Sequence, residues 1–146
     1  MRVVIQRSLH SFVCVNSEIV GSIDKGLTLL VCMEKNDTQR IIEQAAFKIL
    51  KLRIFPDLST GRMDNTIKQA EGKILAVSQF TLSWRGQKGN RPSFDESMVP
   101  ELAESLFNRF CDLLKLEAEV ETGQFGTDMK VTIENDGPVT FMLDFN

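Results

Sequence analysis

Leu27-Thr28-Leu29-Leu30-Val31-Cys32-Met33 is a near-continuous apolar run that follows the turn residues Asp24-Lys25-Gly26. Such a run reads as a strand buried on both faces or nearly so. Downstream, Asp37 or Thr38 can cap a helix, since a short polar side chain accepts from the first free N–H groups. Ile41, Ile42, Ala45, Ala46, Ile49 and Leu50 then recur at helical spacing, which predicts a helix from about Thr38 to Leu52. Lys73 to Leu82 is a second such strand, with the apolar centre Ile74-Leu75-Ala76-Val77.

Working outward, Val3 to Gln6 reads as a first strand, and Phe12–Val15 with Glu18–Ile23 as a hairpin turning at Asn16-Ser17. Phe55 to Asn65 holds Pro56 and Gly61 and reads as a loop. Pro100 opens a second helix, whose apolar face is Leu102, Ala103, Leu106, Phe107, Phe110, Leu113 and Leu114. The C-terminal third alternates as strands do: Ala118 and Val120 among glutamates, then Met129 to Glu134, then Val139 to Phe145. Asn135-Asp136-Gly137-Pro138 between the last two predicts a hairpin turn. The order strands, helix, strand, helix, strands describes an α/β fold: mixed β-sheets with two helices packed on one side, not a doubly wound parallel sheet. A length of 146 residues predicts one domain, 1–146.

Composition narrows function. A net charge of −3 gives no broad basic field, so DNA is not an expected partner. The odd cysteines Cys14, Cys32 and Cys111 each lie in apolar sequence, which predicts buried thiols in a reducing compartment rather than a disulfide framework. One histidine, His10, excludes a multi-histidine metal site. The apolar runs are too short to span a bilayer and no signal peptide is visible, so a cytoplasmic protein is expected. No Walker-type or G-x-G-x-x-G loop supports nucleotide-driven chemistry.

Three constellations carry chemistry. Ser78-Gln79-Phe80-Thr81 puts two hydroxyls and an amide at the end of a buried strand, where polar groups are costly unless bonded. They read either as a strand end that satisfies itself or as a site rim with backbone N–H donors for an oxyanion and Thr81 as nucleophile or positioning hydroxyl. Gly137-Pro138 reads as a turn, or as a rigid corner whose carbonyls receive an amino group. Ser83 to Asp95 is the longest non-periodic segment. Its Arg85, Lys88 and Arg91, flanked by Trp84 and Phe94, suit either a solvated loop or a short contact with the end of an RNA. His10 reads as a surface or strand-end residue, and Glu117, Glu119 and Glu121 as the solvated face of a strand.

Taken together these residues resemble the D-aminoacyl-tRNA deacylase family. The resemblance begins at Met1-Arg2-Val3-Val4-Ile5-Gln6-Arg7. It runs through Lys35-Asn36-Asp37-Thr38, Leu52-Arg53-Ile54-Phe55, Ser78-Gln79-Phe80-Thr81-Leu82, Lys88-Gly89-Asn90-Arg91-Pro92-Ser93-Phe94 and Gly123-Gln124-Phe125-Gly126 to Asn135-Asp136-Gly137-Pro138-Val139-Thr140. Thr127 stands where the family commonly has alanine. The resemblance implies a fold of β/β/α layers and hydrolysis of the ester that joins a D-amino acid to the 3′ end of tRNA. It also implies a homodimer in which a cis Gly137-Pro138 bond enters the partner's site, with no metal or organic cofactor. The catalytic residues would be Ser78, Gln79, Phe80 and Thr81. Arg7, Lys88, Arg91, Phe125 and Met129 would bind the substrate or the tRNA end. Two alternatives share this fold: a deacylase of a mischarged L-aminoacyl-tRNA, and a non-catalytic RNA- or protein-binding module.

Overall fold

The computed structural model describes residues 1–86 and 89–146. Among them, Arg2–Val15 forms β1, Glu18–Ile23 β2, Gly26–Cys32 β3, Gln39–Leu50 α1, Phe55–Pro56 β4, Met63–Asn65 β5, Lys73–Ser78 β6, Pro100–Leu114 α2, Val120–Thr122 β7 and Lys130–Asp144 β8. A 3-10 turn, Phe80–Ser83, follows β6. The main sheet runs β2-β1-β3-β6-β7, with β8 on β1; β4 and β5 form a small separate pair. The sheet is mixed. β1 is antiparallel to β2, β3 and β8, while β6 is parallel to both β3 and β7. It curls until β2 lies against β7.

Both helices cover one face. Val3 and Ile5 of β1, Leu27, Leu29 and Val31 of β3, and Ile74 and Ala76 of β6 pack there with Ile42, Ile49, Phe107, Phe110 and Leu114. The alternate residues of β6, Leu75 and Val77, join Val13 and Ile23 in a second cluster on the opposite face. Burial on both faces explains why β3 and β6 read as continuous rather than alternating apolar runs. Thr38 caps α1, its side chain accepting from the Ile41 N–H. No helix among the described residues is long and apolar enough to cross a membrane.

Two expectations are corrected. Val3–Gln6 and Phe12–Val15 belong to one 14-residue strand, β1. Asn135–Pro138 is not a hairpin turn: β8 is one strand from Lys130 to Asp144, paired with β1 on both sides of that segment. The register passes from Ser8↔Asn135 to Gln6↔Thr140, so the turn-forming residues are extruded as a bulge. A turn signal reverses the chain only if its flanks must pair with each other, and here both flanks find the same long partner. Two smaller differences follow. β6 ends at Ser78, not Leu82, and the loop at 55–65 contains the β4–β5 pair. Asn16 and Ser17, at φ 50° and 70°, do make the expected tight turn.

Burial pushes the thiol of Cys32 up to about 11 and that of Cys111 up to about 12, while Cys14 is half-buried. A raised value keeps both thiols protonated at pH 8, and only the thiolate is nucleophilic. Iodoacetamide at pH 8 is therefore expected to label Cys14 ahead of Cys32 and Cys111 in the native protein, and all three after unfolding. Peptide mapping that finds Cys32 labelled first would contradict this burial.

Candidate active site

The site is built where β6 stops. The Gln79 N–H donates to Val31 O at 2.7 Å, one step beyond the β3–β6 ladder, and Gln79 then leaves the extended region at φ −144°, ψ 77°. The chain winds into the 3-10 turn, closed by the Leu82 N–H to Gln79 O at 3.2 Å and the Trp84 N–H to Thr81 O at 3.2 Å. Two buried groups hold the turn in place. Cys32 Sγ donates to Phe80 O at 3.4 Å, and Arg2 Nη1 donates to Leu82 O at 2.9 Å while its Nε is fixed by Asp144. The first N–H groups of a helical turn have no partner within it, which leaves those of Phe80 and Thr81 as available donors.

Ser78, Gln79 and Phe80 separate two cavities. The first, about 390 Å³, is lined by aromatic and aliphatic side chains, among them Phe80, Phe94, Phe107, Phe125, Met33 and Met98. The rings meet edgewise or tilted, Phe80 to Phe94 at 5.0 Å and Phe107 to Phe125 at 6.1 Å between centroids. None of the residues lining this cavity is ionisable. The second, about 280 Å³, adds Thr127, Asp128 and Met129 beyond the same three residues. An apolar, ring-lined cleft with a few polar groups at its edge is the usual form of a small-ligand site.

The structure thus brings Ser78, Gln79, Phe80, Phe125 and Met129 together. Thr81 lines neither cavity; it is exposed, and its Oγ1 accepts from Gln79 Nε2 at 2.6 Å. His10 lies on β1, exposed, 3.3 Å from Asp24.

Gly137 and Pro138 do not reach this cleft within one chain. They lie opposite Arg7, which pairs with Leu27, whereas Ser78 pairs with Val31, four residues or roughly 13 Å further along β3. Their peptide bond is cis and Gly137 has φ +118°. Arg7, only 9% exposed, donates to Ile54 O at 2.8 Å and holds Nε 2.9 Å from Asp136. It therefore braces the bulge and offers no face to a phosphate.

Arg85 is similarly engaged, its guanidinium 2.7 Å from Glu34 and 3.4 Å from Asp144. Those partners are distant in sequence, which is why the loop read as more basic than it is. Arg91 borders a separate depression with Ser83, Trp84 and Arg85. Lys88 lies outside the described residues. From sequence Pro100 reads as a helix start and Ala103 and Phe107 as part of a buried helix face, yet all three line the first cavity. Their i, i+3, i+7 spacing, which puts them on one helix face, was the available signal.

Known proteins share this sequence and this fold. A family model described as D-Tyr-tRNA(Tyr) deacylase matches residues 4–144. A D-aminoacyl-tRNA deacylase of Marinomonas sp. is 48% identical over 99% of this chain and 100% of its own length. One of Trichodesmium erythraeum is 50% identical over 99% and 96%. Among solved structures, the c-Myc DNA Unwinding Element Binding Protein superposes with a TM-score of 0.95 at 37% identity, over 100% of this chain and 99% of the other. A structure described as a probable eukaryotic D-amino acid tRNA deacylase shares the fold, with a TM-score of 0.84 at 20% identity over 99% and 98%.

By its family and its relatives the chain is a deacylase, an enzyme that hydrolyses an acyl ester. The chain belongs to the D-Tyr-tRNA(Tyr) deacylase family.

Proposed function

We propose that this enzyme removes D-amino acids from tRNA and spares their L counterparts, and that it does so with main chain rather than with a catalytic side chain. The observation that carries this is the start of the 3-10 turn: N–H groups without helical partners, at the edge of a ring-lined cleft that holds no ionisable side chain. The terminal adenine occupies the aromatic cleft. The ester carbonyl lies over the turn, where the N–H groups of Phe80 and Thr81 stabilise the charge that develops on its oxygen. An aminoacyl ester is already activated, so a positioned water suffices, and the ribose 2′-hydroxyl activates it. The hydroxyl of Thr81, bonded to Gln79 and outside both cavities, favours this route over covalent attack.

Chirality follows from geometry. If the carbonyls of Gly137 and Pro138 hold the amino group, an L side chain strikes main chain and a D side chain meets open space, which is selection by rejection. Those residues sit too far from the cleft of their own chain, so they act in a second copy. Edge strand β8, with Phe141 and Met142 exposed, is the surface that would carry it there. A cytoplasmic homodimer acting on the 3′ end of aminoacyl-tRNA is the resulting picture. One structural relative is named for a DNA element, but a net charge of −3, with Arg7 and Arg85 both facing carboxylates, opposes a duplex-binding role here.

Incubation with matched D-Tyr-tRNA and L-Tyr-tRNA tests the proposal. The D ester is expected to disappear at least about a hundredfold faster, a ratio set by steric exclusion. Glycyl-tRNA, with no side chain to reject, is expected to be hydrolysed too. Preferential loss of the L ester would assign the opposite chirality, and loss of neither would leave a binding module. Thr81→Ala is expected to retain more than about a tenth of the single-turnover rate, because removing a true nucleophile costs orders of magnitude more. A near-dead Thr81→Ala enzyme would restore the covalent route.

A further inference from the structure

We infer that the polar depression at the far end of the 3-10 turn receives the nucleotide that precedes the terminal adenosine of the tRNA. This rests on the reading of the main cleft as the adenosine site. The start of the turn borders that cleft, and its end, Ser83, borders a depression of about 440 Å³ together with Trp84, Arg91, Asp95 and Glu96. Four residues of 3-10 helix span about 8 Å, the scale of one nucleotide step in an extended strand.

A second observation points to a ligand. Ser83 is 2% exposed, yet its Oγ has no hydrogen-bond partner. The other buried hydroxyls among the described residues are satisfied, Ser8 with Thr28 at 2.9 Å and Ser11 with Leu9 O at 3.1 Å. A buried hydroxyl left unbonded is destabilising, and an acceptor entering the depression relieves that cost. The remaining lining has the chemistry of a nucleotide site. Trp84, the only tryptophan, keeps 37% of its surface exposed and offers a flat face for stacking. Asp95 and Glu96 are acceptors suited to the exocyclic amine of a base, and Arg91 is an exposed cation at the rim.

The test compares D-tyrosyl-adenosine with D-tyrosyl-CpA, the same ester carrying one more nucleotide. The expected result is a KM about tenfold lower for the dinucleotide ester at similar kcat, the size of one stacked base. In Trp84→Ala that advantage is expected to fall below about twofold, and in Trp84→Phe to survive, because one keeps a ring and the other does not. Equal KM values for the two esters in the parent protein, or an undiminished advantage in Trp84→Ala, would overturn the inference. If neither ester is hydrolysed, the deacylase chemistry fails separately. The subsite is then decided by whether CpA quenches the Trp84 fluorescence at lower concentration than AMP does: quenching by CpA at lower concentration supports it, equal response overturns it.

Discussion

Gly137→Ala is expected to slow deacylation of D-Tyr-tRNA by at least about a hundredfold, the loss typical of reacting groups displaced by about 1 Å. Gly137 has φ +118°, a conformation that L side chains rarely adopt. A Cβ there would lie 2.9 Å from Val139 Cγ2 and 3.0 Å from Arg7 Nη2. Arg7 cannot retreat freely, since Ile54 O and Asp136 hold it from two sides. The bulge must therefore move, and with it the carbonyls that are proposed to hold the amino group. The backbone cost is about 1–3 kcal/mol, small beside a typical stability of about 5–15 kcal/mol, so the protein stays folded. Single-turnover rates read alongside the melting temperature separate the effects. A rate within threefold of the parent would show that this segment does not shape the site.

Gly26→Ala is expected to destabilise the fold severely. Gly26 begins β3 at φ +150°, and a Cβ on it would lie 1.8 Å from Lys73 O and 2.7 Å from Lys73 N. Both are backbone atoms of β6, which is fixed between β3 and β7 and cannot give way. Opening that pair would separate Leu27 from Ile74 and Leu29 from Ala76, the residues on which the helices rest. The loss should reach about 4 kcal/mol or more, the range reserved for core failure. Soluble yield and a urea titration measure it, and a cooperative transition close to the parent midpoint would contradict the argument.

The sequence showed its elements where burial is one-sided or complete. β3 and β6 were legible as short continuous apolar runs, and both helices by their apolar periodicity. What it concealed was long-range pairing. Nothing local to Asn135–Pro138 reveals that β1 runs unbroken behind it, and nothing near Arg85 reveals Glu34 and Asp144. The cleft was half legible for the same reason. Ser78, Gln79 and Phe80 announce themselves as polar or bulky groups at the end of a buried strand. Pro100, Ala103 and Phe107 look like core, and become lining only because α2 begins beside the 3-10 turn.

A cleft whose lining carries no ionisable group has a consequence for how such a protein reveals itself to genetics. Alanine exchange leaves every amide hydrogen and carbonyl in place, so a side-chain scan that stops at Ser78, Gln79 and Thr81 would report a tolerant, apparently idle segment. The informative lesions are those that edit the main chain itself: a proline that deletes one donor, or an amide-to-ester replacement at Phe80 or Thr81. Variation among relatives would be filtered in the same way, by whether the backbone path survives and not by which chemical group hangs from it.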